Sequence, residues 1–407
     1  MMKRGLAIMA VCAMTLALLS GCKSEETVPM KPVAPVTKAS YELVNNDVIN
    51  VTPTDVFGEH SIAILGDSMP HGSQTVDMYH NSWPNLVKAA INAKSGDNNH
   101  GFVSVEGTLW GKQISHDLHA FPESKQGFKE RNQKGKGWTE YRTAELLGTK
   151  GLGSSVKDAE LIFTVQETYT YFCVYYQTGA KYGSFEVRNT DGVALANENG
   201  ETSISCVADE ETYARTAFYK MSDLKENKIV LHVTTAEEVI FTGIGYYNTP
   251  GGVVVSNYSN GGLQLAGIGK AQDGNMTGLD TKFLDLAMTS GTVIFSLGYN
   301  DAYFTSDLDL FEEKIEYMIE KAKQNGVKVI VNDTVWSDPR KVDRIATVKG
   351  YLKRLADETG GIYLDQEAIN GQALIATCED GVHPNAEGHK MIAATILKAL
   401  GLEDATA

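Results

Sequence analysis

Residues 61–68 read SIAILGDS, a continuous apolar run that ends in a Gly-Asp-Ser turn. A short apolar run bounded by turn residues is typical of a strand that is buried on both faces. After the turn, the apolar residues of segment 83–91 recur at steps of three and four, which indicates an amphipathic helix. A strand, a sharp turn and a helix in this order predict the first unit of an α/β fold.

The same alternation of strand and helix returns after residue 251. Ser306 or Asp307 is expected to cap the first long helix of this part, and Gly326 is expected to end it. Because parallel strands need helical crossovers, the alternation predicts a parallel sheet with helices on both faces. The expected strands are 253–256, 293–297, 327–331 and 362–364, and the expected later helices are 344–358 and 386–400.

A different pattern separates these two parts of the chain. Residues 156–250 contain about seven short runs rich in β-branched and aromatic residues, separated by turn signals, which predicts an all-β sandwich or jelly roll. Residues 111–155 are rich in Gly, Lys and Asn and are expected to form an irregular connection. The sequence therefore predicts a discontinuous α/β domain, residues 51–110 and 251–402, that is interrupted by a β insertion.

The N-terminus has the features of an export signal. Lys3 and Arg4 precede an apolar run that is too short for a stable membrane span, and the run ends in Leu-Ser-Gly-Cys at residues 19–22. This order resembles the lipobox of bacterial lipoproteins. It implies a signal peptide at residues 1–21, lipidation of Cys22, and a tether at residues 22–50. We expect an exported protein that is anchored to the cell envelope through its lipid, at the outer membrane if the cell has two membranes.

The composition restricts the partners of the chain. Among 407 residues there are 36 Lys and Arg against 51 Asp and Glu, which gives a net charge of −15. Such a charge repels phosphate backbones and argues against nucleic acid as a partner. The hydrophobic fraction of 43% is that of a folded globular protein.

Three short polar motifs follow the predicted strands or precede the last helix. Ser68 ends the first strand at the carboxyl edge of the sheet, where open α/β folds place their sites. Asp380 and His383 lie three residues apart. Asp380 supplies the carboxylate and His383 the base that a nucleophilic serine requires. Asn300, after another strand, carries an amide that can donate a hydrogen bond to an oxyanion. Each motif alone is also compatible with a capping or turn role.

A fourth motif, NYSNGG at residues 257–262, follows the strand VVVS. A glycine at this place lets a backbone N–H approach a ligand without a Cβ in the way. With GDS, GYND and DGVHPN, this motif completes a set of four blocks that resembles the SGNH (GDSL-type) hydrolase family. The resemblance covers residues 61–110 and 251–402. It departs from the family in reading GDSM instead of GDSL, and in the long gap between Ser68 and Gly262, which contains the β insertion.

The resemblance implies a flavodoxin-like three-layer fold and a serine esterase mechanism without a metal or a cofactor. It assigns the nucleophile to Ser68, the base to His383 and the orienting carboxylate to Asp380. The oxyanion hole is assigned to Ser68, Gly262 and Asn300, with Gly261 as an alternative to Gly262. A surface role is expected for His71, although contact with substrate stays open.

Export and the β insertion favour an acetylated glycan as the substrate, an organisation similar to that of peptidoglycan O-acetylesterases. A general short-acyl or lipase-like esterase is the alternative enzyme, and a non-catalytic glycan-binding lipoprotein is the alternative of another class. Part of the aromatic residues of the insertion and its flanks is expected to stack on sugar rings and the rest to form the core. These residues are Trp110, Trp138, Tyr169, Tyr171, Tyr175 and Tyr176.

Export also permits a disulfide. Cys173 and Cys206 lie in the same β-rich stretch, and the sequence leaves two alternatives open for them, a disulfide or two buried free thiols.

Overall fold

A computed structural model describes most of the chain from residue 61 onward. The signal peptide, Cys22, the tether and Trp110 lie outside the described residues, so the expectations for them stay predictions. Within the described ranges no helix is both long and apolar enough to cross a membrane. The described ranges are 61–75, 78–105, 137–142, 150–165, 168–209, 212–249, 252–268, 287–304 and 307–402, with the short strands 122–123 and 128–129 and residue 284.

The described residues form 17 β-strands and eight α-helices, each numbered in chain order. The strands are β1 Ser61–Gly66, β2 His100–Ser104, β3 Pro122–Glu123, β4 Phe128–Lys129, β5 Trp138–Arg142, β6 Lys150–Ser154, β7 Glu160–Thr164, β8 Tyr171–Thr178, β9 Ser184–Arg188, β10 Ile204–Ser205, β11 Thr212–Lys220, β12 Lys228–Val233, β13 Val239–Tyr247, β14 Val254–Asn257, β15 Thr292–Ser296, β16 Lys328–Asp333 and β17 Ile362–Asp365. The helices are α1 Ser68–His71, α2 Met78–Asn81, α3 Trp83–Ser95, α4 Tyr299–Tyr303, α5 Leu308–Asn325, α6 Val342–Thr359, α7 Gln366–Ile375 and α8 Ala386–Ala399.

Five strands form the parallel sheet in the order β14-β1-β15-β16-β17. Numbered along the chain within this sheet, the order is 2-1-3-4-5, which is the flavodoxin-like arrangement. The predicted α/β fold class is therefore confirmed. Because all five strands run in the same direction, the loops that follow them lie at one edge of the sheet. The strand order reverses beside β1, and folds of this kind bind their ligands in the crevice at that point.

The long helices of the second part begin and end within two residues of the predicted positions. Asp307 caps α5 with its carboxylate, which accepts hydrogen bonds from the N–H groups of Asp309 and Leu310. Gly326 ends this helix in the left-handed conformation. Asn385 caps α8 in the same manner as Asp307 caps α5. Helices α3 and α8 pack against each other, as do α5 and α6, and their apolar faces belong to the same core as the parallel sheet.

The β insertion consists of two largely antiparallel sheets. One has five strands in the order β10-β9-β12-β7-β3, and the other has seven, with β11-β8-β13-β6-β5-β4 in sequence and β2 paired to β13. Inward-facing residues of both sheets, such as Phe185 and Leu231 on one and Phe172 and Phe241 on the other, form a second core. This is the predicted sandwich.

The predicted boundaries of the insertion differ from the observed strand pairing. Strands β5 and β6 lie in segment 111–155, which was expected to be irregular, and they join the seven-stranded sheet through β6 and β13. β2, expected in the α/β domain, also pairs with β13. β2 and β6 contain glycines and β5 contains the charged residues Glu140 and Arg142, so pairing with neighbouring strands, more than their own pattern, stabilises these strands.

Most of the aromatic residues considered for sugar stacking are buried. Tyr169, Tyr175, Tyr176 and Trp138 are at most 8% exposed. Only Tyr171 among the described members of this group is partly accessible. These four side chains therefore belong to the part of the group that forms the core, where they pack against other buried side chains.

Of the two alternatives for Cys173 and Cys206, the structure has the free thiols. Cys173 is on the face of β8 that packs on the α/β core, whereas Cys206 belongs to the core inside the sandwich. A disulfide at this pair is therefore contradicted, because the two side chains belong to different layers. Burial raises the pKa of each thiol to about 12, so both are protonated at neutral pH.

The seven-stranded sheet contacts both cores, one with each face. On the face toward the α/β core, Tyr175 makes an edge contact with Phe102 at 5.1 Å between ring centroids, and Phe102 packs on Tyr258 at 4.9 Å. The hydroxyls of Tyr175 and Tyr247 are 2.8 Å apart. Since Tyr258 directly follows β14, the insertion supports the start of the loop that contains the NYSNGG motif.

A buried histidine connects two helices of the α/β domain. His389, on α8, is inaccessible to solvent, and its Nδ1 accepts the N–H of Trp83 at 3.2 Å. Trp83 is the first residue of α3, whose N-terminal N–H groups lack partners within the helix. Burial, with a smaller contribution from nearby His383, lowers the pKa of His389 to about 3.

We predict that His389→Asn reduces the loss of stability in acid. The folded protein holds His389 neutral while the unfolded chain protonates it near its ordinary pKa, so stability is complete above about pH 6.5 and falls as the pH decreases toward 3. This group should lower the free energy of unfolding by about 2 kcal/mol between pH 7 and pH 5. The asparagine oxygen keeps an acceptor for the N–H of Trp83.

Denaturant unfolding at the two pH values measures the effect. The exposed His80 provides the matched control, His80→Asn. An unchanged difference between pH 7 and pH 5 in His389→Asn would contradict the prediction.

Candidate active site

The loops at the carboxyl edge of the parallel sheet bring distant residues together. Ser68 follows β1, and its Oγ lies 2.8 Å from Nε2 of His383, although 315 residues separate them in sequence. Nδ1 of His383 lies 2.7 Å from Oδ2 of Asp380. An ionised carboxylate can only accept hydrogen bonds, so Nδ1 carries the proton and Nε2 is free to accept the hydroxyl hydrogen of Ser68.

The carboxylate of Asp380 also fixes the turn that carries it. Its Oδ1 accepts the N–H groups of Val382 at 2.9 Å and of His383 at 2.7 Å. Burial raises the pKa of Asp380, but the hydrogen bonds from His383 and the two backbone groups outweigh it, and the net pKa is below the ordinary value. The carboxylate thus stays charged where it can stabilise an imidazolium.

Asn300 is the second residue of the short helix α4, which follows β15. Gly298 precedes this helix with a φ of 123°, and a side chain there would press against Val348 and Leu352 of α6. The amide nitrogen of Asn300 donates to the carbonyl of Leu263 at 3.0 Å and to Oδ2 of Asp67 at 3.4 Å. Asn300 therefore lies beside the residue that precedes Ser68.

The NYSNGG loop is fixed against the nucleophile segment. Asn257 donates from its amide to the carbonyl of Pro70 at 3.1 Å, and the N–H of Asn260 donates to the carbonyl of Gly66 at 3.0 Å. Gly262 has a φ of 76°, a conformation that favours glycine, whereas Gly261 lies next to the ring of His71. The loop is thus held beside Ser68, and the choice between the two glycines for the oxyanion hole stays open.

Asp301 is a residue of this site that the sequence analysis did not single out. Its buried carboxylate accepts the N–H groups of Leu265 at 2.9 Å and Ala266 at 3.0 Å. The guanidinium of Arg344 donates to the backbone carbonyl oxygen of Asp301. Asp301 therefore connects the helix of Asn300 to the end of the glycine loop. The sequence signal that could have identified Asp301 was its position as the last residue of the GYND block.

Asp67 is a second residue that the sequence analysis did not assign. It is completely buried, and its Oδ1 accepts the N–H of Met69 at 2.9 Å. Burial raises the pKa of this carboxyl to about 7; the hydrogen bond from Met69 opposes the rise and nearby Asp301 adds to it.

The described residues contain no group of three or more His, Cys, Asp or Glu side chains that could hold a metal ion. The arrangement at the sheet edge suits nucleophilic chemistry, because a hydroxyl, an imidazole and a carboxylate form one chain of hydrogen bonds.

Residues 241–391 match the family model described as the GDSL-like Lipase/Acylhydrolase family. This range contains Gly262, Asn300, Asp380 and His383, and the fold places Ser68 beside them. The chain carries an SGNH hydrolase domain. The protein is a carboxylic ester hydrolase.

Two similar proteins extend the comparison. An acetylxylan esterase of Geobacillus stearothermophilus is 24% identical over 186 residues, which are 40% of this chain and 83% of that protein. A solved structure described as a peptidoglycan O-acetylesterase covers 86% of this chain and 95% of its own, with a TM-score of 0.54 and 16% identity. At that identity, the second comparison shows a shared fold, which spans both the SGNH domain and most of the remaining chain.

We predict that Asp67→Asn flattens the dependence of stability on pH between about pH 4 and pH 7. Because the folded protein holds the carboxyl protonated up to about pH 7 and the unfolded chain releases the proton near pH 4, stability decreases as the pH rises between these values. The wild type should lose about 2.5 kcal/mol of unfolding free energy from this group between pH 5 and pH 8.

Unfolding titrations at both pH values test this prediction. Asp223→Asn, at an exposed aspartate of the insertion, is the matched control. If Asp67→Asn and wild type lose the same free energy over this interval, Asp67 does not titrate as inferred.

Proposed function

We propose that this protein is a serine esterase that removes O-acetyl groups from a glycan of the cell envelope or the extracellular space. One observation carries the mechanism: the continuous hydrogen-bonded chain from Ser68 through His383 to Asp380. Its order and distances are those that a serine nucleophile with a general base requires.

In the proposed acylation step, Oγ of Ser68 attacks the ester carbonyl carbon while Nε2 of His383 takes the hydroxyl proton. The tetrahedral intermediate then collapses, the bond to the alcohol oxygen breaks, and His383 returns the proton to the leaving sugar hydroxyl. Water then attacks the carbonyl carbon of the acetyl-serine with His383 as its base, the bond to Oγ of Ser68 breaks, and His383 returns the proton to Oγ; the acetic acid that is released ionises to acetate. Asp380 stabilises the imidazolium in both steps.

The oxyanion of these intermediates would be held by the N–H of Ser68, the N–H of Gly262 and the amide of Asn300. The amide nitrogen of Asn300 contacts Leu263 and Asp67, and the contact with Asp67 is the longer one at 3.4 Å. The N–H that faces Asp67 is therefore the one that can turn to the oxyanion. Loss of one such donor costs about 3–4 kcal/mol of transition-state stabilisation.

Two lines support an acetylated glycan as the substrate. The curated relative is an acetylxylan esterase, and the neighbour that shares the fold over most of the chain is described as a peptidoglycan O-acetylesterase. The N-terminal lipobox pattern ending at Cys22 adds a location, because a lipid anchor would hold the enzyme next to envelope glycans. Since most candidate stacking residues are buried, the insertion is proposed to support the site rather than to bind sugar through them.

We predict that Ser68→Ala lowers kcat for p-nitrophenyl acetate by at least about 10⁴-fold, because no other group supplies the nucleophile. The melting temperature should stay close to that of the wild type. Ser73→Ala, in the same segment, is the control and should retain activity. A variant Ser68→Ala with wild-type turnover would refute the mechanism.

The substrate class is predicted to be acetylated polysaccharide. We expect acetyl esters to be hydrolysed at least about tenfold faster than octanoyl esters, since a site for acetate has no room for added methylenes. Acetate release from O-acetylated peptidoglycan and from acetylated xylan should be measured with the wild type and with Ser68→Ala. Equal or better turnover of octanoyl esters, without acetate release from either polymer, would instead identify a general esterase.

A further inference from the structure

The turn that carries Asp380 and His383 lies at the surface, with the side chain of Val382 packed against the core of the α/β domain. Glu379, Asp380 and Gly381 are exposed, and the segment belongs to no helix or strand. The carboxylate of Asp380 bonds within the turn, to Val382 and His383. These bonds fix the internal shape of the turn, but they do not fix where it stands relative to Ser68.

Trp336 supplies a contact from outside the turn. Its indole Nε1 donates to the carbonyl of Val382 at 2.8 Å, across 46 residues of sequence. Trp336 is only 4% exposed, so its ring is held by its surroundings and its N–H has a fixed direction. Val382 is the residue directly before His383, and a shift of its carbonyl would move the imidazole.

Trp336 also contacts the other half of the site. Its backbone carbonyl accepts the hydroxyl of Tyr303 at 3.1 Å, and Tyr303 ends the short helix that contains Asn300. The loop of Trp336 is itself anchored where β16 ends, because the N–H of Val335 donates to Asp333 at 2.8 Å. Trp336 is thus hydrogen-bonded both to the turn that carries Asp380 and His383 and to α4, the helix that contains Asn300.

We infer that Trp336 is a positioning residue, which holds the Asp380–His383 turn at hydrogen-bonding distance from Ser68 through the carbonyl of Val382. This inference rests on the proposed serine mechanism and adds to it a residue outside the four family motifs. Small displacements of a catalytic group cost large factors in rate, so loss of this hydrogen bond should lower kcat more than it changes KM.

The test compares two tryptophans that each donate one indole hydrogen bond to a backbone carbonyl. Trp138, in the insertion, donates to the carbonyl of Glu160 at 3.1 Å and is buried. Trp336→Phe and Trp138→Phe remove the same donor and a similar volume. We expect both to lower the melting temperature, but only Trp336→Phe to lower kcat for p-nitrophenyl acetate, by roughly tenfold or more with KM within about twofold.

Rates should be expressed per active site, with the active-site concentration titrated by an organophosphate that labels Ser68. Tyr303→Phe, which removes only the hydroxyl that bonds to the carbonyl of Trp336, is expected to lower kcat by a smaller factor. Equal kcat in Trp336→Phe and wild type, or equal losses in Trp336→Phe and Trp138→Phe, would overturn the inference.

A second replacement covers the case in which Trp336→Phe does not fold. The benzothienyl isostere of tryptophan at position 336 keeps the ring shape and lacks the N–H, and it should show the same loss of kcat. Wild-type kcat in the protein with this isostere would equally overturn the inference.

The proposed function and the role of Trp336 fail in different ways. A folded wild type without esterase activity contradicts the proposed function, whereas an active wild type with a fully active isostere contradicts only the role of Trp336.

Discussion

The common direction of the five strands in the parallel sheet is the constraint on which the site depends. Because every strand points the same way, the loops after β1, β14, β15 and β16 reach one edge. Ser68, Gly262, Asn300 and Trp336 lie in or directly after these loops. Only the turn with Asp380 and His383 comes from the start of a helix instead of the end of a strand. It is also the most exposed part of the site, which explains why it needs contacts from other segments.

Two aspartates are buried in the interior behind this edge. Asp67 and Asp301 are both completely buried, and both use their oxygens to accept backbone N–H groups of loops that surround the site. Satisfied hydrogen bonds compensate for part of the cost of burying these carboxyls. The raised pKa of Asp67 shows that the compensation is incomplete there. Rigid placement of the loops is thus obtained at some expense of stability.

The sequence predicted most of the fold because its local patterns agree with the elements that form. The apolar run 61–66, the caps Asp307 and Gly326, and the β-rich runs of the insertion all gave correct elements. The four motif blocks also named the residues that meet at the sheet edge. Pattern alone could not predict β5 and β6, because pairing with neighbouring strands stabilises these short, partly polar segments. The pattern also did not separate core from surface aromatic residues, and Tyr175 and Trp138 are both buried because each face of their sheet is covered by a core.

The position of β2 has a consequence for how the two parts of the protein behave. This strand precedes the insertion in sequence, yet it pairs with β13 near the end of the insertion, and its Phe102 fills the space between Tyr175 and Tyr258. The seven-stranded sheet therefore joins a strand that precedes the insertion to strands of the insertion, and its residues belong to both cores. Excision of the sandwich at the compositional borders would leave Tyr258 uncovered beside the glycine loop. The sandwich therefore supports the α/β domain structurally, and the two parts should unfold in one thermal transition.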